Sequence, residues 1–222
     1  MNFIKKTIIK LLLRSIGKTY DGAGLVLPEA KDSPFSFFAD WFQQALKEMP
    51  DQANIMTLST VSPEGRPAGR LLLLKGYDER GFIFFTNYQS AKANDLEHNP
   101  WCSMAFWWER FFRQVRIKGP VEKLSAQESD DYFKSRDRGS QLSAWASAQS
   151  KVIANRAELE AQVQEYELKF KGKEIPRPDF WGGYRLLPEE VEFWQGRLNR
   201  RHDRLRYSRQ QDGSWKVERL AP

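Results

Sequence analysis

Four groups of residues in this chain join positive charge to hydroxyl or aromatic neighbours at spacings that could hold an anion. Arg70 and Lys75 bracket an apolar run, Leu71, Leu72, Leu73 and Leu74. Ser90 and Lys92 open a stretch that reads as a helix, and the free N–H groups of a helix N-terminus hold phosphate readily. Tyr132, Arg136 and Ser140 share the segment DYFKSRDRGS, and Arg200, His202 and Arg204 share FWQGRLNRRHDR at 193–204. A phosphate monoester carries about two charges at neutral pH and three acceptor oxygens, so it recruits two or three cations plus hydroxyl donors. Four such groups suit about two phosphates, although any one alone would be an ordinary solvated face.

Other chemistries have less to draw on. The two histidines, His98 and His202, are far apart in sequence, which leaves Ser/His/Asp hydrolysis without support. His98 reads as a solvent-facing or capping residue at a helix end. The single cysteine, Cys102, excludes an internal disulfide framework and a cysteine-rich zinc site, and in WCSMAFWW it reads as a buried, reduced thiol. No glycine-rich phosphate loop, dinucleotide fingerprint or metalloprotease helix is present, and no metal site is expected. A net charge of +6 favours an anionic partner.

The elements that must position these groups form a largely antiparallel β pattern. Segments 54–61, 70–77, 81–87, 101–108 and 113–124 read as strands, the first three separated by the glycine-bearing turns SPEG and DERG. After Pro176 and Pro178 the pattern resumes in FWGGYRLL, EEVEFWQG, DRLRYSR and SWKVERL, the last two joined by a turn at QQDG. Helices are expected at 90–100, from Ser90 to the stop at Pro100, after Ser125 with Glu128 in capping-box spacing, and over 151–172. With a hydrophobic fraction of 41% there is enough apolar matter for a substantial core. The reading is α+β: an antiparallel barrel, closed or nearly so, with peripheral helices, spanning 23–222 as one domain. Residues 1–22 read as an amphipathic basic arm, with Ile4, Ile8, Leu11, Leu12 and Ile16 on one helical face; Lys10 and Arg14 interrupt any signal core. No stable membrane anchor is expected, and the composition fits a reducing cytoplasm.

Taken together, RLLLLKGYDERGFIFFTNYQSAKANDLEHNP, FWWERFFRQVRIKG, SRDRGSQLSAWASAQS, PDFWGGYRLLPEEVEFWQGRLNRRHDR and the terminal RLAP resemble the pyridoxine/pyridoxamine 5′-phosphate oxidases over about residues 50–222. The resemblance implies an FMN-binding split β-barrel, active as a homodimer with FMN at the subunit interface. It implies oxidation of pyridoxine 5′-phosphate and pyridoxamine 5′-phosphate by O2 to pyridoxal 5′-phosphate, with a hydride passing from the substrate C4′ to the flavin. It assigns FMN to Arg70, Leu71, Leu72, Leu73, Leu74, Lys75, Phe85, Thr86, Lys92, Gln114, Gln149, Ser150, Trp194 and Arg204. The substrate phosphate falls to Lys75, Tyr132, Arg136 and Ser140, and the catalytic cover over the pyridine ring to Arg200 and His202.

Two departures stand out. The family usually carries Ser-Arg-Lys where this chain has Ser90-Ala91-Lys92, which removes one charge-assisted contact to the FMN phosphate. Gly17 stands where an arginine usually lies three residues before a tyrosine, here Tyr20, with Lys18 as a substitute. Two rival readings remain: another split-barrel flavin oxidoreductase, which should lack the combined substrate set, and a basic nucleic-acid-binding protein. Against the second, the cations are dispersed among strand ends and not gathered into one stripe, so no nucleic acid partner is expected.

Overall fold

The computed structural model describes residues 33–222. The amphipathic arm expected at 1–22, with Gly17, Lys18 and Tyr20, lies outside them. Along the chain run α1 (Pro34–Glu48), β1 (Ile55–Val61), β2 (Pro67–Leu73), β3 (Gly76–Asp78), β4 (Gly81–Asn87), α2 (Ala91–His98) and β5 (Trp101–Trp108). There follow β6 (Arg113–Lys123), α3 (Ala126–Lys134), α4 (Arg138–Ala146), α5 (Arg156–Lys169), β7 (Trp181–Leu186), β8 (Glu190–Gln195), β9 (Asp203–Arg209) and β10 (Trp215–Arg219). They divide into two compact units: 54–104 with 118–189, and the described residues through Ala53 with 105–117 and 190–222.

In the first unit β1 and β2 form a hairpin in register from Ile55↔Leu73 to Val61↔Pro67. Its turn is closed by Ser62 N–H to Arg66 O at 2.9 Å, and Gly65 there takes φ +76°, where a side chain would be strained. β4 pairs with β7 from Phe82↔Leu186 to Asn87↔Trp181. Strand alternation drives Met56 and Leu58 of β1, and Phe82 and Phe84 of β4, into the core. The next inward positions are polar, Thr60 and Thr86, and both are buried. The expected strand 70–77 is in fact two, broken at Leu74-Lys75. Leu74 N–H still bonds back to Asn54 O at 2.8 Å, whereas Lys75 N–H bonds to Ile83 O at 2.9 Å, so the chain changes partner strand between them.

On β7, Gly182 and Gly183 leave room that no Cβ could share: one would fall on the Tyr88 ring, the other on Leu124 and Phe85. The next turn of that strand carries Arg185, a fully buried cation held by Asp78 at 2.7 Å and Glu128 at 3.2 Å. Burial would raise the Asp78 carboxyl, but hydrogen bonds from Arg80 and Arg185 outweigh it and hold it at about 2. A satellite core of Phe133, Leu142, Ala144, Phe170, Ile175 and Trp181 seats α3, α4 and α5.

In the second unit α1 begins at Ser33, whose hydroxyl accepts from Phe35 N–H at 3.2 Å, with Pro34 at the first helical position. Its apolar face buries Phe35, Phe38, Trp41 and Ala45. Phe37 lies 4.4 Å from Phe193 of β8, and Trp41 lies 5.4 Å from the same ring. β8, β9 and β10 form an antiparallel meander, and Gly213 at φ +82° turns the last hairpin. No helix among the described residues is long and apolar enough to cross a membrane.

Candidate functional site

The first unit contains a cleft of about 690 Å³ lined by Leu71, Leu72, Leu73, Lys75, Phe85, Thr86, Tyr132, Arg136, Ser140, Gln149 and Trp181, among others. Its wall is built by the α3–α4 junction. Ser125 and Glu128 close the expected capping box at the start of α3, the helix that carries Tyr132. Asp137 caps α4 by accepting from Ser140 N–H at 2.8 Å, and this turn carries Arg136 between the two helices. Tyr132 stacks on Phe85 with centroids 3.8 Å apart. The Arg136 guanidinium lies 4.6 Å over the Trp181 ring, and its buried Nη1 has no hydrogen-bond partner. Burial lowers the Arg136 pKa, with Tyr132 and Asp137 opposing. A buried guanidinium donor left unsatisfied costs about 1–3 kcal/mol or more.

Beside this cleft, sharing Thr86 and Gln149 with it, is a second cationic locus. Lys92 is buried on α2, and its ammonium donates to Thr86 Oγ1 at 3.1 Å, Ser90 Oγ at 3.0 Å and Gln149 Oε1 at 3.2 Å. All three acceptors are neutral, and none of the described residues forms an ion pair with it. Burial, then the nearby Arg70, lowers its pKa to about 8, while Asp95 opposes. Ser90 is the N-cap residue, as the sequence implies, but its hydroxyl serves Lys92 and makes no cap hydrogen bond. Arg70 reaches Thr60 Oγ1 at 2.6 Å and Leu58 O at 3.3 Å. Two cations, neutral oxygens and a helix N-terminus make a donor set that fits the phosphate of FMN.

Gln114, Trp194, Arg200, His202 and Arg204 lie in the second unit. Trp194 of β8 packs 4.5 Å from His202, and Trp107 lies 6.1 Å from Trp194. His202 Nδ1 accepts from Arg197 N–H at 3.1 Å, which places the ring proton of the neutral form on Nε2. Burial and Arg200 lower the His202 pKa. Asn199 and Arg200 both take positive φ, 55° and 60°, a conformation side chains rarely adopt. Arg204 is engaged by Glu192 at 2.9 and 3.2 Å, and the same carboxylate takes Arg116. Gln114 is half-buried on β6.

The cleft therefore gathers Leu71, Leu72, Leu73, Lys75, Phe85, Thr86, Tyr132, Arg136, Ser140 and Gln149. Leu74 is buried, with both backbone groups bonded to Asn54. Ser150 is exposed at φ 73° after Gln149. Sequence reading missed Trp181 as the platform under Arg136, and it missed Thr60 and Asp95 behind Arg70. His98 is exposed, with its Nδ1 2.9 Å from Asn94 O, as a helix-end residue should be. Cys102 is a buried free thiol, pushed up to about 12 by burial.

The fold matches solved structures of split-barrel type. PhzG from Burkholderia lata, solved with tetrahydrophenazine-1-carboxylic acid, is 31% identical, with a TM-score of 0.82 over 90% of this chain and 100% of that one. A pyridoxamine 5′-phosphate oxidase-related, FMN-binding protein from Nostoc punctiforme shares the fold at 20% identity, with a TM-score of 0.69 over 86% of this chain and 100% of that one. The class is thus an α+β split β-barrel. Residues 42–170 match the pyridoxamine 5′-phosphate oxidase family, and 181–222 match the pyridoxine 5′-phosphate oxidase C-terminal dimerisation region. Pyridoxine/pyridoxamine 5′-phosphate oxidases of Pseudomonas putida and Synechocystis are 54% and 50% identical, each over 95% of this chain and 98% of their own. The chain belongs to the pyridoxamine 5′-phosphate oxidase family of FMN-dependent oxidoreductases.

Proposed function

We propose that the protein oxidises pyridoxine 5′-phosphate and pyridoxamine 5′-phosphate to pyridoxal 5′-phosphate. The alcohol and O2 give the aldehyde and H2O2; the amine, O2 and water give the aldehyde, ammonia and H2O2. The observation that carries this reading is the buried, unpartnered Nη1 of Arg136 in a cleft that also holds Lys75, Tyr132 and Ser140. Two cations and two hydroxyls suit a phosphate monoester.

FMN, when bound, supplies the two-electron acceptor and its reoxidation by oxygen. Arg70, Lys92, Thr86 and Gln149 would hold its phosphate, with Phe85, Gln114, Ser150, Trp194 and Arg204 as its further contacts. The chain's own part is binding, orientation and charge. Tyr132 and Arg136 fix the substrate phosphate, their aim set by Phe85 and Trp181. Arg200 is permanently charged and planar, suited to lie over a pyridine ring. Burial and Arg200 favour the neutral form of His202, which offers a donor at Nε2. The match of 181–222 to a dimerisation region supports a homodimer, and FMN at its interface is part of the proposal. A buried reduced cysteine fits a cytoplasmic setting.

The experiment is oxygen-dependent aldehyde formation from pyridoxamine 5′-phosphate and from unphosphorylated pyridoxamine, with wild type and Arg136→Leu. Wild type should prefer the phosphate ester, and the variant should lose about 10- to 100-fold in kcat/KM on it alone. Equal use of the two substrates by wild type refutes the reading, as does turnover only of phosphate-free tricyclic acids.

A further inference from the structure

Thr60 and Asp95 are buried polar groups to which the proposed reaction gives no task. Thr60 follows Met56 and Leu58 in the inward row of β1, where alternation calls for an apolar side chain, and it is 1% exposed. A buried hydroxyl needs its donor and its acceptor satisfied. Here both are: it donates to Asp95 Oδ2 at 2.5 Å and accepts from Arg70 Nη1 at 2.6 Å. Asp95 lies three residues after Lys92 on α2, hence on the same buried face, and its Oδ2 is 3.8 Å from Arg70 Nη2. Both hydrogen bonds of the Arg70 guanidinium come from Nη1, to Thr60 Oγ1 and Leu58 O, while Nη2 meets Asp95 only as an ion pair and Nε makes no hydrogen bond among the described residues.

A carboxylate beside a phosphate locus works against it by simple Coulomb repulsion, so a geometric benefit must outweigh that cost. We propose that Thr60 and Asp95 are positioning residues for Arg70: the hydroxyl transmits the carboxylate's hold to one Nη and fixes the guanidinium for the phosphate of FMN. The inference rests on the reading of Arg70 as a phosphate contact. The parallel on β4 is close, since inward-facing Thr86 accepts from Lys92 as Thr60 accepts from Arg70. Two strands thus each end their apolar row with a threonine that aims one cation of the site.

The test uses flavin-free protein titrated with FMN and with riboflavin, which lacks the phosphate, followed by quenching of flavin fluorescence. The ratio of the riboflavin to the FMN dissociation constant isolates the phosphate's share of binding. That ratio should be large for wild type and fall about tenfold or more in Asp95→Asn and in Thr60→Val, with riboflavin binding unchanged. Thr60→Ser should restore it. A ratio unaltered in both variants, an equal weakening of both flavins, or tighter FMN binding by Asp95→Asn overturns the inference. A wild-type ratio near one refutes instead the assignment of Arg70 to the phosphate.

Discussion

Raising the pH of the flavin-free protein from about 7 to about 9.5 should weaken FMN binding about 30-fold, through Lys92 alone. Burial, reinforced by Arg70, brings this lysine down to about 8, so at about pH 9.5 only about one molecule in thirty carries the charge. The FMN phosphate is already a dianion above about pH 6 and contributes no slope in this window. A bound phosphate raises the lysine pKa, so affinity falls about tenfold per pH unit above 8 and levels off once the bound lysine also titrates. Fluorescence titration across the range measures it. Lys92→Met should bind weakly at neutral pH and give a flat profile. The linked stability has the opposite sign. Because the lysine pKa is lower folded than unfolded, the unfolded chain holds more protons between about 8 and 10.4, and flavin-free protein gains stability as pH rises there. A wild-type affinity that stays level from about pH 7 to about 9.5 refutes the placement of Lys92 against the phosphate.

Ala91 occupies the exposed first position of α2, one residue from Lys92; Ala91→Arg should lower the FMN dissociation constant about tenfold or more by the same titration. Arg200→Lys should depress kcat markedly while the purified protein keeps its flavin absorbance, since a lysine cannot lie flat over a ring. Cys102 should resist thiol reagents at about pH 8 in the folded protein and react only after denaturation, because burial pushes its thiol up to about 12.

The strands were legible where a turn glycine or a proline stop marks the start, as at β4 after DERG and β5 after Pro100, whose bounds match the sequence reading. The break after Leu73 was not, because four successive leucines look alike locally and the change of partner is set by Asn54 and Ile83, distant in sequence. Two helices were overlooked despite visible signals: Ser33-Pro34 before α1, and Asp137 placed to cap Ser140 before α4. The helix anticipated over 151–172 is shorter, Arg156–Lys169, because Asn155 caps its start and Gly172 at φ +68° follows its end. At the site, Lys75, Tyr132, Arg136 and Ser140 could be found by residue type, and the cleft brings them together. Thr60 and Asp95 could not, because a lone threonine in a strand and a lone acid in a helix acquire meaning only once β1 and α2 meet.

Tyr132, Arg136 and Ser140 come from one unbroken stretch of chain at a helix junction, while the ring beneath Arg136 and the ring beside Tyr132 belong to the sheet. Three of the four groups proposed for the phosphate ester are thus contiguous in the chain, while the rings that aim them are gathered from distant strands. The paired glycines of β7 are the tightest point of that framework, since a Cβ at Gly182 would fall on the Tyr88 ring and one at Gly183 on Leu124 and Phe85.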